Sequence, residues 1–136
     1  MTSLGRYRLN RVIGEGGMGV VHLAEAPDGE RVAIKVLRPQ VIGDREARDR
    51  LAREVSSLQL VHSRWVAEII DADPWGETPY VVTRYVPGRS LHEVVSTDGP
   101  LHGEDLRWLA QGLLEGIAAV HRAGVLHRDI KPSNVL

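Results

Sequence analysis

Short hydrophobic runs with alternating polar positions occupy the first two thirds of the chain. They are rich in Val, Ile and Leu and are separated by turns containing Gly or Pro, which is the pattern of β-strands. Two consecutive short connections favour an antiparallel meander at the start. We therefore predict five strands, at residues 7–15, 19–26, 31–38, 66–72 and 80–86.

The spacing changes to that of a helix in three places. Ala47, Leu51, Val55 and Leu58 share one face of a predicted helix over residues 44–60. Ser90-Leu-His-Glu93 has the form of a capping box that opens a short helix. A longer helix ending near Gly124 is indicated by an apolar stripe at Leu106, Leu109, Leu113, Ile117 and Val120. The predicted class is α+β, a five-stranded antiparallel sheet with one helix followed by further helices.

Composition excludes several classes of protein. A chain of 136 residues with 43% hydrophobic and 26% charged residues is ordinary for one globular domain. The net charge of −1 gives no reason to expect nucleic acid or a membrane surface as a partner. There is no cysteine, hence no disulfide or thiol chemistry, and no apolar run reaches the ~20 residues of a membrane span. We expect a cytoplasmic location.

The basic residues are strongly biased towards arginine. Of the 17 basic side chains, 15 are Arg, and the two lysines are Lys35 and Lys131. An ammonium is a compact point charge, whereas a guanidinium is a wide planar fork. The two lysines are therefore candidates for positions where only an ammonium fits.

Residues 14–21 match the pattern G-x-G-x-x-G-x-V. Dinucleotide-binding folds also use G-x-G-x-x-G, but there the glycines open a helix. Here strand-like residues follow Gly19, which argues against an NAD-dependent oxidoreductase and predicts a hairpin whose backbone amides approach a phosphate. The P-loop pattern G-x-x-x-x-G-K-[ST] is absent.

Lys35 lies in Val32-Ala-Ile-Lys35, on the predicted strand after this hairpin. An ammonium on a mostly buried strand needs an anionic partner. Glu54, on the face of the predicted helix beside Leu51 and Val55, is the best candidate for a fixed carboxylate. Glu46, Asp49 and Glu68 are poorer candidates.

The segment His127-Arg-Asp129-Ile-Lys131-Pro-Ser-Asn134 completes a set of three motifs. A glycine-rich loop, V-A-I-K and H-R-D-L-x-x-x-N in this order are the signature of protein kinases. From residue 7 onward the chain resembles the eukaryotic-type (Hanks-type) protein kinases, and its Ile-Gly-Glu-Gly-Gly-Met-Gly turn is similar to that of the bacterial serine/threonine branch. Lysine two positions after the aspartate is the serine/threonine form.

The resemblance implies ATP-dependent phosphorylation of serine or threonine in protein substrates, with Mg²⁺ as the metal and Mn²⁺ as an alternative. It implies that Asp129 orients the substrate hydroxyl, Lys131 steadies the transferred phosphoryl group and Asn134 binds the metal. Lys35 would contact the α- and β-phosphates and pair with Glu54. The implied nucleotide-binding residues, besides Lys35 and Asn134, are Ile13, Gly14, Glu15, Gly16, Gly17, Met18, Gly19, Val21, Ala33, Thr83, Arg84 and Val86, the last two through their backbones.

The resemblance also divides the chain into an N-lobe over residues 1–86 and the start of a C-lobe over residues 87–136. Arg84 departs from the glutamate usual at the start of the hinge, so contacts on the ribose side are expected to change. The 136 residues contain no Phe and hence no Asp-Phe-Gly, the motif that supplies the principal metal ligand. We therefore expect an incomplete catalytic domain that is poorly soluble and inactive when made alone.

Two questions remain open at the level of sequence. A non-catalytic, pseudokinase-like module that binds nucleotide and regulates a partner is the alternative function, although Lys35, Glu54, Asp129 and Asn134 are all present. The resemblance also leaves room for a kinase-domain dimer and for membrane anchoring through another part of the protein.

Overall fold

A computed structural model describes residues 3–15, 19–38 and 43–124. Within them the predicted strands and helices are found, with one additional strand of two residues at the start. In chain order the elements are β1 (Ser3–Leu4), β2 (Tyr7–Glu15), β3 (Gly19–Glu25), β4 (Arg31–Leu37), α1 (Arg45–Leu58), β5 (Ile69–Asp73), β6 (Tyr80–Arg84), α2 (Leu91–Asp98) and α3 (Gly103–Arg122).

The strands form one antiparallel sheet in the order β1-β2-β3-β4-β6-β5. The sheet is therefore six-stranded rather than five-stranded. The sequence does not predict the short strand β1, because two residues carry no measurable alternation. The glycine-rich segment connects β2 to β3 as an antiparallel hairpin, which confirms the prediction made against a dinucleotide-binding turn.

One side of the sheet carries the hydrophobic core, and we call it the core face. Residues directly opposite on neighbouring strands share a face, and residues alternate along each strand. The pairs Ala24–Val32 and Ile34–Val82 therefore lie on the same side. Together with Tyr7 from β2, these residues form a buried cluster in which none is more than 1% exposed.

Tyr7 also ties β2 to β5, at the far edge of the sheet. Its hydroxyl donates a hydrogen bond to Oδ2 of Asp71 at 2.9 Å. Its ring meets Tyr80 edge to face, with centroids 6.3 Å apart. At Gly5 (φ 57°), a Cβ would lie 2.7 Å from the Tyr80 hydroxyl, so the β1–β2 turn needs glycine for both space and conformation. These contacts join distant strands and curve the sheet.

Helix α1 is capped by Asp44, whose carboxylate accepts from the backbone N–H of Ala47 at 3.2 Å. The guanidinium of Arg48 donates to the carbonyl oxygens of Pro74 and Gly76, at 3.4 and 2.8 Å. Helix α1 is thus held against the β5–β6 turn, and its buried residue is Val55.

The chain divides into two compact units. The described residues within 1–59 and 68–85 form the first, and those within 60–67 and 86–124 form the second. The segment 60–67, which the predicted boundary after residue 86 places in the N-lobe, groups with the second unit. No helix in the described ranges is both long and apolar enough to cross a bilayer.

In the second unit, the predicted capping box at Ser90 and Glu93 opens α2. The Trp65 ring lies against α3 where that helix has glycine, since a Cβ at Gly112 would be 2.8 Å from the ring and one at Gly116 would be 3.4 Å from the Cβ of Trp65. Much of the packed side of α3 is therefore made of small residues. Of the predicted stripe, Val120 is buried, whereas Leu106 is 52% exposed.

Candidate functional site

The predicted nucleotide-binding residues on β3, β4 and β6 lie on one face of the sheet, opposite the core. Val21 is directly across from Lys35 on the neighbouring strand, and Ala33 is directly across from Thr83. Since cross-strand partners share a face and Ala33 and Lys35 are two positions apart, all four residues lie on the same side. We call it the lysine face and define it by Val21, Ala33, Lys35 and Thr83.

Around Lys35 the lysine face is more accessible than the core face, although Leu23 and Leu37 on the same side are buried. Lys35 is exposed, and Val21, Ala33 and Thr83 are partly buried, whereas their neighbours Val32 and Ile34 on β4 are buried. A strand whose core-face residues are buried can present an ammonium to a ligand from an exposed position on its other face without losing its packing. The alternation in Val32-Ala-Ile-Lys35 therefore places Val32 and Ile34 in the core and leaves Lys35 accessible.

Lys35 and Glu54 do not form an ion pair in this structure. Both side chains are exposed, and the ion pairs formed among residues 3–15, 19–38 and 43–124 do not join them. Glu54 lies on α1 next to Val55, the residue that the helix buries. The predicted pairing of Lys35 with Glu54 stays a prediction.

The described glycines of the hairpin have different neighbours. At Gly19 a Cβ would overlap the carbonyl oxygen of Val36 on the adjacent strand. At Gly14 a Cβ would meet only the side chain of Val21, at 3.7 Å. Gly19 is therefore required by the close approach of β3 to β4, whereas Gly14 has ordinary space beside it.

Glu15, the last residue of β2, pairs with Arg38 just beyond β4, and the carboxylate and guanidinium are 3.3 Å apart. Strand β3 lies between them in the sheet. The ion pair thus connects the end of β2, where the glycine hairpin begins, to the end of β4, the strand that carries Lys35. Sequence spacing does not identify Arg38, because it cannot show that this side chain spans two strands.

The side chain of Arg84 is directed away from the lysine face. Arg84 is opposite Val32 on β4, whereas its neighbour Thr83 is opposite Ala33. Its guanidinium lies 2.9 Å from the carboxylate of Glu68 and 3.5 Å from that of Glu30. These carboxylates raise the pKa of Arg84, with the Glu68 hydrogen bond the largest cause. The expected effect of Arg84 on ribose-side contacts finds no support in this orientation.

The remaining predicted residues are placed as follows. Ile13 is 37% exposed on β2, and Val86 directly follows the first unit. Gly16, Gly17 and Met18, and the catalytic-loop residues Asp129, Lys131 and Asn134, lie outside the described residues. In the described part of the chain, no cluster of three His, Cys, Asp or Glu side chains could hold a metal ion.

Comparison with known proteins identifies the family. Residues 7–136 match the model of the protein kinase domain. The chain belongs to the protein kinase domain family. It is 48% identical over 133 residues to a probable serine/threonine-protein kinase, PkwA, of Thermomonospora curvata, covering 98% of this chain and 18% of that protein.

Other kinases are similar over the same region. The serine/threonine-protein kinase AfsK of Streptomyces coelicolor is 43% identical, with 98% of this chain and 17% of the relative covered. For PrkC of Bacillus subtilis the identity is 38%, and the coverage is 97% and 20%. The chain thus spans about a fifth of the length of these curated relatives.

The solved kinase domain of PknI from Mycobacterium tuberculosis has the same fold. It superposes with a TM-score of 0.83 at 26% identity, over 95% of this chain and 53% of the solved chain. The predicted fold, an antiparallel kinase N-lobe sheet with one helix and the first helices of the C-lobe, is therefore confirmed, with β1 added. The chain spans about half of that solved kinase domain.

Proposed function

We propose that the protein to which this chain belongs transfers the γ-phosphoryl group of ATP to serine or threonine hydroxyls of protein substrates. The observation that carries the proposal is the lysine face. Lys35 and the predicted adenine-pocket residues Val21, Ala33 and Thr83 share one accessible side of a sheet whose glycine hairpin connects β2 to β3. Membership of the protein kinase family and similarity to serine/threonine kinases support it.

In this proposal the residues of the first unit have distinct roles. Lys35 supplies a positive charge for the α- and β-phosphates from a strand fixed by core packing on its other face. Val21 and Ala33 offer apolar surface to the adenine. Phosphoryl transfer depends mainly on positioning and on stabilising charge on the phosphoryl oxygens, so a rigid strand carrying an ammonium suits it.

The catalytic-loop roles rest on the motif at residues 127–134. Asp129 would accept or orient the proton of the attacking hydroxyl, and Lys131 would steady the transferred group. Bound Mg²⁺ would neutralise charge on the phosphates, with Asn134 as one ligand. Because Asn134 lies outside the described residues, the fit of the metal rests on the amide oxygen of that residue type alone.

Asp129→Asn in the full-length gene product tests the proposal. The substitution keeps the size of the side chain but removes the proton acceptor, so phosphate transfer from labelled ATP to a protein substrate should fall by about 10²–10⁴-fold. ATP binding should be retained. Asp105→Asn, an exposed acidic position on α3, is the matched control and should leave the transfer rate unchanged.

The same experiment separates the alternative function. A wild-type protein that binds ATP but transfers no phosphate, alone or with Mg²⁺ or Mn²⁺, would be a nucleotide-binding regulatory module instead. If the Asp129→Asn variant transferred phosphate as well as the wild type, the protein would still be a kinase but the role of Asp129 would be refuted. Kinase-domain dimerisation and membrane anchoring remain proposals for the whole protein.

A further inference from the structure

Arg84 is the residue at which the chain departs from the glutamate usual in the hinge, and the structure places it in a compact charged cluster. It is the last residue of β6. Its backbone N–H donates to the carbonyl oxygen of Glu68 at 2.9 Å, and its guanidinium donates to the carboxylate of the same residue at 2.9 Å. Glu68 is therefore bound by Arg84 through both its main chain and its side chain.

The third member of the cluster comes from the β3–β4 turn. Glu30 lies 3.5 Å from the other terminal nitrogen of Arg84. The turn is itself fixed, because the N–H of Ala26 donates to the carbonyl of Glu30 at 2.9 Å and the N–H of Glu30 donates to the carboxylate of Asp28 at 3.0 Å. The carboxylate that meets Arg84 is thus attached to a well-defined backbone.

The next residue of the hinge, Tyr85, is contacted from the start of β4. The guanidinium of Arg31 lies over the ring of Tyr85, 5.9 Å from its centroid. Glu30, in the turn, and Arg31, the first residue of β4, therefore contact two consecutive residues, Arg84 and Tyr85. Side chains from one end of the β3–β4 hairpin thus contact the end of β6 and the residue that follows it.

We infer that Arg84 is a positioning residue of the nucleotide site: with Glu30 and Glu68 it fixes the hinge backbone that binds the adenine edge. The inference rests on the proposed ATP-dependent function. The N–H of Arg84 is bonded to Glu68, so adenine would meet the carbonyl of Arg84. The cluster orders the backbone of this residue before ATP binds and so reduces the entropy lost on binding.

The arrangement also accounts for a basic residue at this position. A glutamate at position 84 would face two carboxylates, Glu30 and Glu68, whose distances to the present guanidinium are 3.5 and 2.9 Å. Three acidic groups at that spacing repel one another and would loosen the end of β6. The positive charge of Arg84 therefore complements the negative charges of Glu30 and Glu68.

The test is a charge-reversal series in the full-length protein. Arg84→Glu should raise the KM for ATP, and the inhibition constant of adenosine, by about 3- to 10-fold, because partly exposed charge pairs have modest energies. The inhibition constant of inorganic tripolyphosphate, which contains no adenine, should stay unchanged, as should kcat. Arg84→Glu combined with Glu68→Arg should recover most of the adenosine affinity, and adding Glu30→Lys should recover the rest.

The matched control is Arg89→Glu. Arg89 is also partly exposed and also pairs with a carboxylate, that of Asp98 at 2.8 Å, but it lies before α2 in the second unit. Arg89→Glu should leave the inhibition constants of adenosine and tripolyphosphate unchanged. An equal change from Arg84→Glu and Arg89→Glu would show a general electrostatic effect and refute the inference.

The outcomes separate this inference from the function on which it rests. A wild-type protein that neither binds ATP nor transfers phosphate refutes both. An active wild type with unchanged adenosine inhibition in Arg84→Glu refutes the positioning role alone. Equal weakening of adenosine and tripolyphosphate, or no recovery on charge reversal, would show that Arg84 supports the fold rather than the adenine site.

Discussion

The two faces of the sheet differ in how far they expose the residues of strand β4. On the core face, Val32 and Ile34 of β4 are 1% and 0% exposed and pack against Tyr7 and Val82. On the lysine face, Ala33 is partly buried and Lys35 is exposed. Leu23 and Leu37 on the same side are also buried, so the part of this face that is free to carry chemistry is the region around Lys35.

This division explains why a strand can hold an ammonium in place without burying it. A buried unpaired charge would cost several kcal/mol, whereas an accessible charge on a rigid backbone costs little and binds an anion readily. The rigidity comes from residues one position away on the opposite face. Substitutions of Lys35 and of the buried core-face residues should therefore have separable effects, the first on activity and the second on stability.

The largest expected effect is that of Lys35→Met on activity. Removing the ammonium leaves the phosphates without a charge on the lysine face, so kcat/KM for phosphate transfer should fall by about 10³-fold. The free energy of unfolding should change by no more than about 0.5 kcal/mol, because the side chain is exposed. Phosphate transfer from labelled ATP by the full-length protein measures the first and hydrogen exchange of β4 amides the second.

Arg8→Met is a suitable control for Lys35→Met. Arg8 is exposed on β2 and pairs with Glu25 at 3.0 Å, so the substitution removes a cation from the same sheet away from β4. Its activity should match that of the wild type. Comparable losses in both variants would contradict the assignment of a special role to Lys35.

On the core face, Ile34→Ala should have the next largest effect. Ile34 is fully buried, and truncating it leaves a cavity next to Val82 and Ala24. The expected loss is about 3 kcal/mol in the opening free energy of β3 and β4, measured by native-state hydrogen exchange. Ile34→Val should cost about 1 kcal/mol. Val21→Ala, on the partly open lysine face, should cost less than Ile34→Ala.

Most of the fold could be predicted from sequence because its signals are local. Alternation in Val32-Ala-Ile-Lys35 predicts a strand, the glycines predict a hairpin, and Ser90 with Glu93 predicts the start of α2. The strand β1 and the packing of Trp65 against Gly112 and Gly116 could not be predicted in this way. The first has too few residues to show a period, and the second depends on contact between segments about 50 positions apart in sequence.

In the candidate site, too, local sequence signals could be read and contacts between distant segments could not. Motif spacing predicts Lys35 and Gly14 as site residues, and the resemblance to protein kinases adds Thr83. The register of β4 with its neighbours gathers Lys35 and Thr83 on one face. The partners of Arg84 and Glu15 could not be predicted, because long side chains reach across strands and sequence spacing does not reveal where they end. The position of Glu54 relative to Lys35 depends on how α1 docks, and that is a tertiary property.

Alanine substitutions at two glycines of the hairpin should have smaller effects, and the effects should differ between the two positions. Gly19→Ala would place a Cβ against the Val36 carbonyl, so β3 and β4 must separate locally, at a cost of about 1–3 kcal/mol. Gly14→Ala meets only Val21 at contact distance and should cost less than about 1 kcal/mol, while raising the KM for ATP. Hydrogen exchange and ATP kinetics on both variants measure the two effects. A larger loss of stability at Gly14 than at Gly19 would reverse this distinction.

The smallest expected effect is the response of the core face to alkaline pH. Burial raises the pKa of Tyr7 above its ordinary value of 10.0, and burial likewise raises that of Tyr80. The unfolded chain therefore releases these protons at a lower pH than the folded chain does. Stability from the neutral phenols is fully present below pH 10 and is lost as the pH rises above it.

Tyr7→Phe removes one of the two groups and the hydrogen bond to Asp71, so it should cost about 1 kcal/mol at neutral pH. Its stability should then fall less steeply than that of the wild type as the pH rises above 10, as followed by hydrogen exchange of β2. An unchanged slope would show that the Tyr7 hydroxyl does not titrate with folding, and would limit the role of the core face to packing.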